Sequence, residues 1–296
     1  QTAINALPAK KSSDGRATSF TAHALLGKVY LYQEKFAEAA NILEPLIGLY
    51  TLPSDPGSVF LVEGENGPES VFEIQHSKES NGWNWGWMPQ STEGNFGVIH
   101  HGIRGYSGPV YSSGWSFNVP TQDLVDAFDA TDKRKNASVL DIVDWADANG
   151  ASYAEGYEHT GYFNNKYIPR AGYSKNTTEL NYENNYRYIR YADVLLMAAE
   201  ANNRGGISDS KAQNYLNQVR SRAGVSSINE TGSSLTQAIW DERRLEFAGE
   251  GHRFFDLVRT GQAGNEISGF VVGKHEVFPI PQTEIDISGL TQNAGY

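Results

Sequence analysis

The stretch DERRLEFAGEGHRFFDLVRTG, Asp241 to Gly261, constrains this chain most, because it cannot be laid on a helix without burying charge. Leu235, Ala238, Ile239, Glu242 and Leu245 share one helical stripe at three- and four-residue spacing, so Glu242 sits among apolar neighbours. A carboxylate there needs a partner. Arg243, Arg244, Arg253 and Arg259 are close in sequence, and a guanidinium is the group best shaped to grip it. Gly249 and Gly251 interrupt the helical pattern, after which Phe254, Phe255 and Val258 restart an apolar stripe with Asp256 three residues before Arg259. The expectation is a helix, a glycine hinge and a second helix, locked by ions. Glu246, Glu250, His252 and Asp256 are titratable and open to an acid–base reading, but carboxylates among this many arginines read first as a structural network.

Composition narrows the rest. The 296 residues can bury a large core. No run approaches the ~20 apolar residues that cross a bilayer. The net charge of -11, from 35 acidic against 24 basic side chains, disfavours nucleic acid and anionic lipid headgroups as partners. The chain has no cysteine, which removes disulfides, thiolate zinc sites and thiol nucleophiles together. Aromatics make up 12% of a chain that is hydrophilic overall, so many rings lie in polar, glycine-rich sequence, which suggests a contact surface.

Taken in order, Thr18 to Tyr32 reads as a helix capped by Thr18 or Ser19, with Ala22, Leu25, Leu26, Val29 and Tyr30 as its apolar set. Phe36 to Tyr50 is its partner, and the two have tetratricopeptide spacing, with Gly27 as the close-packing small residue. One pair cannot bury both its faces, so further helices are expected beside it. A strand candidate at 71–75 follows an irregular, proline-rich connection. Residues 76–120 show almost no period, and a structureless stretch this long is usually functional. TQDLVDAFDATDKR predicts a helix over 121–134 with Thr121 as cap and Leu124, Val125 and Phe128 buried. A second irregular excursion runs from about Trp145 to Tyr186. Helices return at RYADVLLMAAEANNRGG and SDSKAQNYLNQVRSRAG, and FPIPQTEIDISGLTQNAGY is expected to close the chain in extended form. The fold class is mainly α: helical pairs carrying long loop-rich excursions with little β. Three regions follow, a helical pair at 1–50, a ligand-bearing excursion at 51–186 and a helical scaffold at 187–296.

Several of these landmarks occur in an order that resembles the SusD/RagB family of Bacteroidetes. They are ESVFEIQHS, PTQDLVDAFDATDKR, NKYIPR, RYADVLLMAAEANNRGG, YLNQVRSRAG, DERRLEFAGEGHRFFDLVRTG and the closing FPIPQTEID with QNAGY. The resemblance implies a non-catalytic outer-membrane lipoprotein on the extracellular face, built on tetratricopeptide-like pairs. Such a protein binds nutrient and hands it to a SusC-type TonB-dependent transporter; most members take glycans, and the RagB branch looks peptide-binding. Family members begin with a signal peptide, a lipid-modified cysteine and helices before the pair at Thr18. These are absent here, so membrane association is expected only through an anchor outside this chain. The matching motifs are scaffold motifs and transfer no ligand contact.

The ligand face therefore rests on its own residues. Trp83, Trp85 and Trp87 alternate with Asn84 and Gly86, and in extended chain alternate side chains share a face at about 6 to 7 Å spacing, close to a sugar ring's length. Indole stacks on the C–H faces of a pyranose, while Asn81, Asn84, Gln90, Asn95 and Arg104 supply planar partners for hydroxyls. Tyr106, Tyr111, Trp115 and Tyr162 extend the candidate platform, with Tyr153 and Tyr157 as weaker members. The bland alternative is a satellite core that packs a long loop onto the helices. His100 and His101 are adjacent with no third ligand at spacing, the calcium-loop signature is missing, and GRATSF and GIRGYSG lack a phosphate-loop pattern, so neither metal nor cofactor is expected. Glycan capture leads, with peptide binding as the alternative. A glycoside hydrolase would need two carboxyl groups facing one cleft at about 5 to 9.5 Å, and no such pair stands outside the arginine network. A generic protein-binding repeat scaffold would have short connections, which the two excursions oppose.

Overall fold

The computed structural model describes residues 1–11, 15–79, 93–175 and 181–296. They form two compact units, Gln1–Glu250 and Gly251–Tyr296. The first opens with α1 (Thr2–Ala6), followed by a helical pair, α2 (Ser19–Tyr32) and α3 (Phe36–Leu43). Thr18 caps α2 through a reciprocal box: Thr21 N donates to Thr18 Oγ1 at 3.3 Å and Thr18 N donates to Thr21 Oγ1 at 3.2 Å. The inward face of α2 differs from the expected one. Ser19, Thr21, Ala24, Gly27 and Leu31 are buried, while Leu25 and Val29 are each 42% exposed. The helix is apolar on nearly every side, so its period cannot choose a face; close approach chooses it instead. A Cβ added at Gly27 would fall 2.4 Å from Leu43 Cδ2 on α3, so glycine is what lets the pair touch.

The excursion contains β1 (Ser70–Ile74), α4 (Gly97–His100), α5 (Gln122–Asp126), α6 (Arg134–Ser138), β2 (Val139–Asp141), α7 (Ile142–Asn149) and β3 (Tyr162–Asn164). The single helix expected over 121–134 is thus divided. Thr121 caps α5 as expected and Val125 and Phe128 are buried, but Asp129 then accepts from Thr131 N at 2.8 Å and turns the chain. The second irregular stretch also starts later than expected, because Asp141 caps α7 through Val143 N and Asp144 N. The strands pair as two antiparallel ribbons: β2 with β3, and β1 with β4 (Tyr186–Arg190).

From β4 the chain enters α8 (Tyr191–Arg204), then α9 (Asp209–Ala223) and α10 (Gly232–Glu246). α8 is the central helix, buried from Tyr191 to Asn203, and its alanines admit neighbours on all sides. Ser208 caps α9 by accepting from Lys211 N at 3.2 Å, and Gly224 ends it with φ +82. Arg204 fixes three helices together: its guanidinium lies over the Phe36 ring at 4.6 Å and the Trp240 ring at 5.6 Å.

Glu242 is buried among apolar neighbours as expected, but its partners are not the arginines beside it. Arg134 Nη1 lies 2.5 Å from Glu242 Oε1 and Arg220 Nη1 2.7 Å from Oε2. Arg243 instead pairs with Asp193 at 2.9 Å and Arg244 with Asp123. The reason is the helix itself: Arg243 and Arg244 point away from the face that Glu242 occupies, so its counter-charges arrive from other segments. The same network joins Arg190 to Glu69, to Glu246 at 3.0 Å and to Glu250 at 2.8 Å, and Lys166 to Glu250 at 2.6 Å. Burial works against the Glu246 charge, yet Arg222, Arg190, Arg134 and Lys166 hold its carboxyl well below the usual range.

The second unit carries α11 (Arg253–Arg259), α12 (Ala263–Glu266) and α13 (Gln282–Ser288). Arg253 pairs with Glu266 at 3.2 Å and Arg259 with Asp256 at 2.8 Å. On α11 the buried residues are Asp256 and Leu257, while Phe255 is 57% exposed, so the expected Phe254–Phe255–Val258 stripe does not face inward. The Asp256–Arg259 pair occupies that side instead. The closing segment is also not wholly extended: Gln282–Ser288 is helical, ended by Gly289 at φ +68. No helix among the described residues is long and apolar enough to cross a membrane.

Candidate functional site

Trp83, Trp85, Trp87, Asn81, Asn84 and Gln90 lie outside the described residues. Their flanks are well fixed. Ser77 N donates to Glu93 O at 2.9 Å, and Asn181 Nδ2 donates to Lys78 O at 2.8 Å. Lys78 pairs with Glu183 at 2.7 Å and Lys175 with Glu79 at 3.1 Å. The residues bordering 80–92 and those bordering 176–180 therefore meet.

Immediately after Glu93 the chain builds a cluster of rings. Asn95 Oδ1 accepts from Gly97 N at 2.9 Å and its Nδ2 donates to Asn184 O at 2.9 Å, which starts α4 and ties it down. Residues 115–117 then fold back on the end of α4: Trp115 N donates to Ile99 O at 3.0 Å, Ser116 N to Gly102 O at 2.8 Å and Phe117 N to His100 O at 2.8 Å. The crossing needs glycine, since a Cβ on Gly114 would lie 2.3 Å from Gly102 Cα. The fold-back gathers four rings. His100 is 4.7 Å from Phe96, 5.1 Å from Trp115 and 5.9 Å from Phe117, and Trp115 is 6.0 Å from Phe117. Phe96 is 42% and Phe117 52% exposed. Ser116 and Asn118, on either side of Phe117, adopt φ +58 and +53, which non-glycine residues rarely do. Such strain persists only where the surroundings impose it, and here it holds an apolar ring outward.

Of the residues picked out from the sequence, Arg104 and Trp115 come together. Arg104 Nη2 donates to Trp115 O at 2.7 Å and Arg104 N to Ser116 Oγ at 3.0 Å, so an exposed guanidinium borders the rings. Tyr106 is buried elsewhere: its hydroxyl donates to Pro109 O at 2.7 Å and accepts from Trp145 Nε1 at 3.0 Å, closing a small core with Tyr111, Leu140, Phe163 and Ile168. Tyr162 is half-buried beside Val125, Phe128 and Val139, and its hydroxyl donates to Gln122 Oε1 at 3.2 Å. Phe96, His100 and Phe117 were not singled out as contacts. Their signal was present in GNFGVIHH and GWSFNVP, rings in the same glycine-rich sequence as the tryptophans.

The two histidines separate at the end of α4. His100 joins the rings, whereas His101 turns inward, where burial and the neighbouring His100 push its pKa down to about 4. Among the described residues no group of three or more His, Asp or Glu side chains is placed to hold a metal ion. Chemically, the arrangement offers exposed apolar ring faces, one cation and backbone groups, which suits an uncharged ligand with both C–H faces and hydroxyls.

A family model described as the SusD family matches residues 142–296, more than half of the chain. The chain belongs to the SusD family. A curated SusD relative, SusD-like protein P2 of Formosa agariphila, is 28% identical over 98% of this chain and 62% of its own length. Among solved SusD-type structures, a laminarin binding SusD-like protein is 40% identical with a TM-score of 0.89, covering 99% of this chain and 66% of that one. Surface glycan-binding protein A from Bacteroides thetaiotaomicron, solved in complex with laminarihexaose, is 31% identical with a TM-score of 0.85, covering 98% and 67%. The chain thus spans about two-thirds of the length of these SusD relatives, and the mainly helical fold is common to them.

Proposed function

We propose that this chain captures glycan at the cell surface without altering it and passes it to a TonB-dependent transporter of the SusC type. The observation that carries the reading is the ring cluster in which exposed Phe96 and Phe117 flank half-buried Trp115, bordered by Arg104, in a chain that is 40% identical to a laminarin binding protein over 99% of its length. A laminarin-type glucan is the first ligand to test. Trp83, Trp85 and Trp87, with Asn81 and Asn84, complete the proposed face, because their flanking residues lead directly into the ring cluster. Tyr106 packs in the separate core of Tyr111 and Phe163, and Tyr162 beside Val125, Phe128 and Val139, so neither is assigned to this face. In this reading residues 1–50 and 187–296 are scaffold, and 51–186 bears the ligand.

Binding without turnover fits the placement of the carboxylates. Glu242, Glu246 and Glu250 are clamped by guanidinium and ammonium groups inside the fold, where a polysaccharide has no access. Family membership supports the transporter partner and a location on the outer face of the outer membrane.

Isothermal calorimetry against a glycan panel that includes laminarin tests the reading. Each ring contact is worth about 1 kcal/mol, so changing Trp83, Trp85 and Trp87 together to alanine is expected to weaken binding on the order of a hundredfold. Unchanged binding removes those residues from the face. Release of reducing ends that is lost on a single Asp or Glu substitution would show a hydrolase instead. Preference for basic peptides that fades with added salt would favour peptide capture.

A further inference from the structure

Beyond the ring cluster stands Tyr157, 90% exposed and the most exposed large ring among the described residues. Its loop is firmly seated. Ser107 and Ser152 exchange backbone hydrogen bonds at 2.9 Å, and Ala154 N donates to Arg104 O at 2.8 Å. On the return side the Tyr153 and His159 rings lie 5.6 Å apart, and His159 lies 6.2 Å from Phe163. Gly156 brings the loop against the candidate site: a Cβ added there would meet Ser116 Cβ at 3.2 Å and Arg104 Nε at 3.7 Å. Next to Tyr157, Glu158 takes φ +55, a left-handed conformation at a non-glycine position. An anchored loop that spends strain to stand a phenol ring in water, one residue from a glycine packed on Ser116 and Arg104, is a second contact surface next to the first.

The geometry points to Tyr157, the residue after the glycine that packs on Ser116 and Arg104, as an outer subsite of the glycan face, reached only by a chain of several sugar units. The inference rests on the glycan reading above and adds a length preference to it. With Tyr157 90% exposed, its ring is not packed on Trp115 or Phe117 and presents a separate face to the ligand. One sugar ring cannot stack on both. A short oligosaccharide fills the Trp115–Phe117 end, and a longer one also lays a ring on Tyr157 while its hydroxyls meet Arg104.

Calorimetry with laminarin-type trisaccharide and hexasaccharide, on the full chain and on Y157A, Y157F and G156V, tests this. Tyr157→Ala is expected to weaken hexasaccharide binding about fivefold and to leave the trisaccharide within about twofold, while Tyr157→Phe keeps both. Gly156→Val, which pushes the loop off Ser116, is expected to reproduce the selective loss. Thermal unfolding of Y157A should match the unaltered chain, since the ring is in solvent. Unchanged hexasaccharide binding in Y157A, or equal loss for both lengths, overturns the subsite and leaves the glycan reading standing. Failure of the unaltered chain to bind either oligosaccharide overturns both.

Discussion

Inside the helical body Arg134, Arg190, Arg222 and Lys166 sit out of water against Glu69, Glu242, Glu246 and Glu250, whereas on the loop face Phe96, Phe117 and Tyr157 stand in it. The usual distribution is inverted in both places. Buried ion pairs contribute little net stability over apolar packing, but removing one partner is costly, so such a network enforces one arrangement rather than deepening it. Exposed rings cost hydration free energy, and the positive φ values at Ser116, Asn118 and Glu158 add strain. The difference teaches that rigidity is concentrated in one region so that sticky surface can be displayed, without collapse, in the other.

Substitutions that break this contrast fall in a definite order. Glu246→Gln leaves Arg190 and Arg222 without their shared acceptor, and is expected to lower the unfolding free energy by about 3 to 5 kcal/mol in urea denaturation. A change under about 1 kcal/mol would mean that the body is not held by its ions. Gly27→Val drives a side chain into Leu43 and should cost about 2 kcal/mol by the same measurement, since well-packed helices resist added volume. If it is tolerated, the first helical pair is softer than its packing implies.

His101 tests the junction between the regions. Its folded pKa is pushed down to about 4, below the ordinary 6.5, so the unfolded chain takes up the proton first. The stability it contributes is complete above pH 6.5 and is lost as pH falls toward 4. Part exposure and solvent screening reduce the effect to about 2 kcal/mol between pH 6.5 and 4.5. Melts of the unaltered chain and of His101→Gln should show this slope in the former only. The smallest stability effect belongs to the display face. Phe117→Ala should change the unfolding free energy by less than about 0.5 kcal/mol while weakening laminarin binding by about 1 kcal/mol, a fivefold loss readable by calorimetry. A large drop in stability would make Phe117 a packing residue.

Local chemistry was legible in the sequence wherever one segment decides its own geometry. The Thr18 and Thr121 caps, the small residue at Gly27 and the buried carboxylate at Glu242 all follow from spacing and side-chain type. Choices made by distant partners were not legible. The inward face of α2 was set by α3, and the counter-ion of Glu242 came from Arg134, 108 positions away. At the candidate site, residue type alone picks out Arg104 and Trp115 as candidates, and the fold brings the two together. Phe96, His100 and Phe117 joined them only because the backbone of 115–117 bonds back to 99–102. Tyr106 looked like a contact for the same compositional reason as Trp115, but a loop this long needs a small core of its own, and Tyr106 fills it.

Arg190 has a consequence for how the molecule comes apart. Its guanidinium meets Glu69 from 121 positions earlier and Glu246 and Glu250 from 56 and 60 positions later. Such pairing closes only when remote segments arrive together, which makes assembly slow and leaves no comfortable halfway state. The reverse also holds: the strand that carries Arg190 is freed only when the segments bearing Glu69, Glu246 and Glu250 part from it together, so a protease that needs that strand unfolded must wait for the concerted opening.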